Sequence, residues 1–277
     1  NDQLTALGSD QMRALTSTQI EGLTTAQLAG LAAADLNELT DTQFQQLSTA
    51  QIAGLTTDQI SSLESTDLAA LTSQQITGLR SQQIVALDSG DLASLTADQM
   101  AAMSSSQLRA IETADIDNLS LSALGGLSGA QMSVLTTAQL GALTSDQLQA
   151  LSSQQLTGLT TAQLVALATD DLNTLTDSQF QSLLTRQIAA LTTDQVANLQ
   201  TADLAALTGD QIHAIGTAGI VALDSANFAV LSATQVAAMA TAQLRAIETG
   251  DIDNLSLDAL SGLNATQVAS LSTAQIG

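Results

Sequence analysis

The feature that most constrains this chain is an apolar residue at two fixed places in every eight. Positions 4, 12, 20 and every eighth position to 276 hold only Leu, Ile, Val, Met or Phe. Positions 7, 15, 23 and every eighth position to 271 hold only Leu, Ile or Met. The two series contain 35 and 34 positions without an exception. A repeat this strict is typical of solenoids and arrays, so the chain is expected to fold as equivalent eight-residue units, here called octads.

Each octad carries its own signal for starting a helix. We number its slots from one to eight, as in TSTQIEGL at 16–23, with the apolar residues in slots five and eight. Slot one is Ser, Thr, Asp or Asn in 23 of 34 octads, and slot four is Gln in 24 of 35. Ser or Thr followed three residues later by Gln is a capping box, in which each side chain bonds the backbone N–H of the other residue. Slots five and eight then lie on one helix face.

The period of eight excludes one continuous helix. Eight residues at about 100° each overshoot two turns by about 80°, so the apolar pair would move around a long helix from octad to octad. A strand is disfavoured because residues three apart point to opposite faces of a strand. The sequence therefore predicts an all-α solenoid of very short capped helices, α or 3₁₀ in detail, with one helix of about six residues per octad.

A single octad cannot be stable, because its two buried apolar side chains contribute roughly 3–6 kcal/mol and ordering eight residues costs about 12 kcal/mol. The octads must stack, and we expect the small residues in slots three and seven to add contacts between neighbours. Asp in slot four and Gly in slot seven recur at three or four octads, which predicts a superhelical turn of about 3–3.5 octads. Drift after tandem duplication is the alternative reading of these spacings. The slot-four Asp residues are Asp35, Asp67, Asp91, Asp115, Asp171, Asp203 and Asp251.

The octads are grouped into a longer sequence repeat of 17 octads. SSQLRAIETADIDNLSLSALGGLSGAQ at 105–131 matches TAQLRAIETGDIDNLSLDALSGLNATQ at 241–267, an offset of 136 residues. We predict a single continuous octad-repeat solenoid over 1–277 that contains two super-repeats, 1–136 and 137–272. The octad pattern is still running at Leu4 and at Ile276, so we expect the chain to be an excerpt of a longer protein.

Composition limits the partners. The chain has five Arg and no Lys against 27 acidic residues, a net charge of -22, so binding to nucleic acid or to an anionic membrane is not expected. It has no Cys and one His, so neither a disulfide framework nor a Ser-His-Asp or Cys-His catalytic arrangement is expected, and no enzyme activity is predicted. His213 lies in slot six with several Arg residues, and we interpret it as a surface residue.

The densest acidic clusters are the candidate metal sites. Oxygen ligands at close spacing suit Ca²⁺, and no other cofactor is predicted. The alternative is that these residues only cap helices or face solvent. The candidate ligands are Glu112, Asp115 and Asp117, and their counterparts Glu248, Asp251 and Asp253.

The repeated runs LTTAQLAGLAAADL at 23–36 and LTTDQI at 55–60 resemble the repetitive stretches of very large secreted bacterial surface proteins. Such proteins are described as haemagglutinin-like, haem-utilisation or RTX-type adhesins. The resemblance implies export to the cell surface, a very long parent chain, and a structural part in an extracellular filament or matrix that assembles with copies of itself. The alternative is the stalk of a secreted adhesin, with contacts to the cell surface or to glycans. Haem binding is not supported, since one His offers no repeated axial ligand.

Overall fold

The chain is described from a computed structural model that covers Leu4 and residues 7–277. Gln3, which holds slot four of the first, incomplete octad, lies outside the described residues. Within the described residues the chain forms 34 short helices and no strand, one helix for each octad from Gly8 onward. They fall into two compact units, Asn1–Leu143 and Thr144–Gly277, each of which is an all-α solenoid array.

The helices of the first unit are Ser9–Arg13, Ser17–Glu21, Thr25–Ala29, Ala33–Leu36, Asp41–Gln46, Thr49–Gly54, Thr57–Ile60, Ser65–Ala70, Ser73–Ile76, Ser81–Val85, Ser89–Ser94, Ala97–Ala102, Ser105–Ala110, Thr113–Asn118 (a 3₁₀ helix), Leu121–Gly125, Gly129–Met132 and Thr137–Gly141. Those of the second unit are Ser145–Ala150, Ser153–Gly158, Thr161–Ala166, Thr169–Leu172, Asp177–Ser182, Thr185–Ile188, Thr193–Ala197, Thr201–Ala206, Gly209–Ala214, Thr217–Ala222, Ser225–Ala229, Ala233–Ala238, Thr241–Ala246, Thr249–Ile252, Leu257–Ser261, Ala265–Ser270 and Thr273–Ile276.

In most octads a capping box accompanies the start of the helix at slot two. In the octad of Thr72 the cap residue is extended, and its hydroxyl oxygen accepts from the backbone N–H of Gln75 at 3.2 Å. The backbone N–H of Thr72 in turn donates to Oε1 of Gln75 at 2.8 Å. Such a cap contributes about 0.5–2 kcal/mol. The octads of Glu112 and Glu248 have no such side-chain bond, and the octad of Glu112 forms the 3₁₀ helix.

Slots five and eight form the core of each unit. All three Phe residues lie in slot five and are at most 1% exposed. Slot seven packs against slot two of the octad three earlier: a Cβ on Gly54 would lie 2.8 Å from Thr25 Cβ, and one on Gly78 would lie 2.6 Å from Thr49 O. The prediction of stacking contacts is thus confirmed for slot seven. The side chains of slot three are exposed in every described octad, and contacts of this slot with a neighbouring turn are made by the main chain, as when Ser106 O accepts from the hydroxyl of Ser81 at 3.4 Å.

The turn of the solenoid lies between three and four octads. Helices three octads apart contact each other, as Gly209–Ala214 does with Ala233–Ala238 and Ser73–Ile76 with Ala97–Ala102. Hydrogen bonds from slot four reach the octad four earlier, as when Gln75 Nε2 donates to the carbonyls of Phe44 and Leu47 at 2.6 and 2.7 Å. The predicted 3–3.5 octads per turn are therefore confirmed within each unit.

These glutamines form what we call the glutamine ladder: slot-four Gln side chains whose Nε2 donates to the slot-five and slot-eight carbonyls four octads earlier. Gln107 makes the same two bonds to Ile76 and Leu79 in the first unit, as Gln211 does to Phe180 and Leu183 in the second. The Oε1 atom serves the cap and the Nε2 atom serves the stack, so the buried amide is satisfied on both sides. One side chain therefore starts its own helix and fixes the neighbouring turn.

Candidate functional site

The sites that differ chemically from the rest of the array are the octads in which Asp replaces the ladder Gln. The Asp side chain is one methylene shorter and, when ionised, has no N–H or O–H to donate. At Asp91 the array adapts, because Oδ2 accepts from the backbone N–H of Asp88 at 3.2 Å and Oδ1 accepts from the hydroxyl of Ser65 at 3.3 Å. At Asp67 and Asp203 it does not, and Oδ2 of each is buried without a hydrogen-bond partner in the described part of the chain.

A second oxygen without a partner accompanies each of these carboxylates. Asn37 and Asn173 are the only Asn residues in slot six, and each precedes an unpartnered Asp by four octads. Their Nδ2 atoms donate to the carbonyls of the octad three later, Asn37 to Ser62 at 2.7 Å and Asn173 to Asn198 at 2.8 Å. Their Oδ1 atoms are buried and have no partner among the described residues. Each super-repeat thus holds two buried acceptor oxygens that lack a donor.

The electrostatic environment of these carboxylates is unfavourable to charge. Burial, with the nearby carboxylates of Glu64 and Asp41, raises the pKa of Asp67 to about 6. Burial and the charge of Asp177 raise the pKa of Asp203 to about 6, although a backbone hydrogen bond from Gln200 lowers it in part. Burial also raises the pKa of Asp91, against which its hydrogen bonds act. The two orphaned carboxylates can hold a proton or face a cation, which are the two ways to supply the missing positive charge.

An acidic cleft of about 430 Å³ lies beside the first of them. Its lining includes Asn37 and Asp67 together with the carboxylates of Glu38, Asp41 and Glu64. Arg13 lies at the same cleft and pairs with Glu38 at 2.7 Å. Arg13 Nη2 donates to Glu38 Oε2, and within the described residues Asp67 Oδ2 and Asn37 Oδ1 receive no hydrogen bond.

The acidic clusters predicted to bind Ca²⁺ lie at the surface. Glu112 and Asp117 are exposed and Asp115 is half-buried, and the same holds for Glu248, Asp253 and Asp251. Asp117 and Asp253 each accept from the side-chain amide of the following Asn, at 2.8 and 3.0 Å. Among the residues that the structure describes, no group of three or more His, Cys, Asp or Glu side chains is placed to hold a metal ion. Ca²⁺ binding at these clusters stays a prediction.

Slot six has a role that the sequence did not suggest. Arg109 Nε donates to the carbonyl of Val134 at 2.9 Å, and its counterpart Arg245 Nε donates to that of Ser270 at 2.8 Å. His213 is exposed, as expected, and its Nδ1 lies 2.8 Å from the carbonyl of Ala238. All three side chains reach a carbonyl 25 residues later, so they reinforce the contact between neighbouring turns. Their shared slot, and the exact repetition of Arg109 as Arg245, were the available signals.

Within the described residues, no helix combines the length and the apolar character needed to cross a bilayer.

Comparison with known families identifies the repeat. A family model described as the ALTTAQ repeat matches six segments, 29–65, 60–97, 108–145, 164–201, 196–233 and 244–277. The starts at 29, 60 and 108 recur 135 or 136 residues later, at 164, 196 and 244, in line with the super-repeat. No curated protein matches the chain. One similar solved structure is the leucine-rich repeat-containing protein LegL7 from Legionella pneumophila, 14% identical over 87% of this chain and 78% of that chain. Its TM-score is 0.19, which carries no argument about the fold.

Proposed function

The chain belongs to the ALTTAQ repeat family, and we propose that it is a non-enzymatic structural array, the repeating body of an extracellular bacterial filament or matrix protein that assembles with copies of itself. The observation that supports this most is the glutamine ladder. Its acceptors are main-chain carbonyls, which every octad has whatever its sequence, as at Phe44 and Leu47. The same contacts can therefore be repeated without limit, and stability becomes a sum over octads and their interfaces.

The function of such an array is mechanical. Slots one, two, four, five, seven and eight serve capping, stacking and the core, and slot six bonds the neighbouring turn in several octads, which leaves slot three exposed and free to vary. A net charge of -22 keeps the exposed surface soluble. In this proposal the array spaces the parts of a longer protein and associates laterally once its charges are screened.

The second candidate is the stalk or ligand-binding segment of a large secreted adhesin. The same net charge of -22 favours it, because like-charged arrays repel one another at low salt. In this case the chain stays monomeric, and the exposed slots contact a cell surface or a glycan.

Electron microscopy with sedimentation analysis distinguishes the two. The purified chain is examined over a wide concentration range, at low salt, at about 0.15 M NaCl where screening acts over about 8 Å, and at higher salt. The filament proposal expects regular polymers that grow with concentration and with salt. Separate monomers at every concentration and salt would contradict it and favour the stalk.

A further inference from the structure

We propose that the cleft beside Asp67 is a divalent-cation site that prefers Ca²⁺, with Asp67 Oδ2 and Asn37 Oδ1 as its protein ligands. This site is separate from the surface clusters around Asp115 and Asp251. It does not depend on the filament proposal, because a cation here would stabilise a stalk as well.

The first argument is that two buried oxygen atoms lack a hydrogen-bond donor within the described residues. Asp67 is 4% exposed and lines the cleft together with Asn37. Asp67 Oδ2 and Asn37 Oδ1 are both buried, and neither has a hydrogen-bond partner among the residues that the structure describes. In ladder octads the amide nitrogen of Gln lies at this level and donates to carbonyls 28 and 31 residues earlier, which for Asp67 are those of Leu39 and Leu36. With Asp in the slot, no amide is there to donate. The site at Asp67 therefore offers oxygen atoms, the ligands that Ca²⁺ takes, and no amide group of slot four donates a hydrogen bond there.

The second argument is the charge of the cleft. Four carboxylates line it, those of Glu38, Asp41, Glu64 and Asp67, against one guanidinium, that of Arg13. The formal sum is four negative charges and one positive, or -3, and the guanidinium is already paired with Glu38. A water molecule could donate hydrogen bonds to the two oxygens but would leave this charge unbalanced. A divalent cation supplies both what the oxygens lack and what the charge requires.

The third argument comes from the second super-repeat, which provides an internal comparison. Asp203 and Asn173 keep the two unpartnered oxygens. Thr174 and Gln200 stand where the first copy has Glu38 and Glu64, and Gln149 stands where it has Arg13, so the formal sum is reduced from -3 to -2. Gln200 Nε2 also donates to the main-chain carbonyl of Asn173 at 3.3 Å. We therefore expect the second copy to bind a cation more weakly than the first.

Few protein ligands and an open cleft imply modest affinity. Ca²⁺ takes six to eight oxygens, so water must complete the shell around the two proposed ligands. We expect a dissociation constant on the order of 10⁻⁴–10⁻³ M, the range of weak extracellular Ca²⁺ modules. Mg²⁺ dehydrates reluctantly and should bind more weakly.

The test is calorimetric titration of the whole chain with CaCl₂ and with MgCl₂ at pH 7.5 in 0.15 M NaCl, after chelator treatment. The site variant is Asp67→Asn. Asp203→Asn and Asp58→Asn are matched controls, since each makes the same charge change and Asp58 is exposed in slot three. The proposal expects one Ca²⁺ site that Asp67→Asn weakens at least tenfold and that both controls keep.

A second variant guards against an effect of misfolding. Asn37→Ala removes the other proposed ligand, and circular dichroism shows whether each variant keeps the helical content of the parent. A folded Asn37→Ala chain should also lose at least tenfold in Ca²⁺ affinity. The proposal is overturned if the parent binds no Ca²⁺ above diffuse background, or if folded Asp67→Asn binds as the controls do.

Discussion

The glutamine ladder predicts that two neighbouring glutamines differ greatly in their tolerance of a single-atom change. Gln74 and Gln75 are adjacent in the helix Ser73–Ile76, but Gln74 is exposed in slot three and Gln75 is buried in slot four. Gln75→Glu keeps an oxygen for the backbone N–H of Thr72 and replaces the Nε2 donor by an acceptor. Gln74→Glu makes the same chemical change in solvent.

The magnitude follows from the contacts of Gln75. Its Nε2 serves two carbonyls, those of Phe44 and Leu47. Each buried acceptor left without a donor costs about 1–3 kcal/mol, so losing both costs about 2–6 kcal/mol. A protonated Glu could restore one bond, and protonating it at pH 7.5 from an ordinary pKa of about 4.3 costs about 4 kcal/mol. At pH 5 protonation costs only about 1 kcal/mol, but one acceptor still lacks a donor. We therefore expect Gln75→Glu to destabilise the array by about 5 kcal/mol at pH 7.5 and by about 2–4 kcal/mol at pH 5.

Urea denaturation followed by circular dichroism measures this difference. Both variants carry one additional negative charge, so their comparison cancels the effect of net charge. Gln74→Glu should remain within about 0.5 kcal/mol of the parent, as surface changes usually do. If the two variants unfold at the same urea concentration at pH 7.5, the Nε2 bonds do not hold the turns together and the reasoning is refuted.

Two further predictions concern the buried carboxylate of Asp203 and the close packing of the turns. The pKa of Asp203 is raised from 3.8 to about 6, so the stability that its proton contributes is present below about pH 3.8 and is lost as pH rises through about 6. The Asp203→Asn variant should therefore be more stable than the parent at pH 7.5, by at most about 3 kcal/mol, and as stable as the parent near pH 3.5. The midpoints of urea denaturation measured across this pH range test the prediction. The same difference in stability at both pH values would contradict it. Gly126→Ala should destabilise by about 1–3 kcal/mol, because its Cβ would meet Ala97 O and lie 2.7 Å from Ala97 Cα. Gly125→Ala, whose Cβ meets nothing within 4 Å, should stabilise its helix by about 0.5–1 kcal/mol, and thermal melting that ranks the pair the other way would contradict the packing.

The sequence was sufficient for the local structure because each octad repeats the same local rule. A Ser or Thr three residues before Gln fixes where most of the helices start, and the apolar slots fix which face is buried, as at Thr72, Gln75 and Ile76. The spacing of Asp and Gly in slots four and seven gave the number of octads per turn. These features need only neighbours within one octad, or a spacing that can be counted.

The contacts between turns were harder to predict, since they join residues 25 to 31 positions apart. The capping box accounts for Gln in slot four but accepts Glu equally well. Slot four holds 24 Gln and no Glu, and this exclusion is the signal that a buried donor is required. The orphaned oxygens of Asp67 and Asn37 could not be foreseen, because their proximity to one cleft depends on the turn that brings slots four and six together.

The most direct test of the account is an experimental crystal structure of the chain that locates the slot-four side chains. The account predicts that the Nε2 atoms of buried glutamines such as Gln75 and Gln211 lie about 2.7–3.1 Å from the carbonyl oxygens 28 and 31 residues earlier, the ordinary range of such bonds. Glutamine side chains that point into solvent, or turns that stack in a different register, would contradict it.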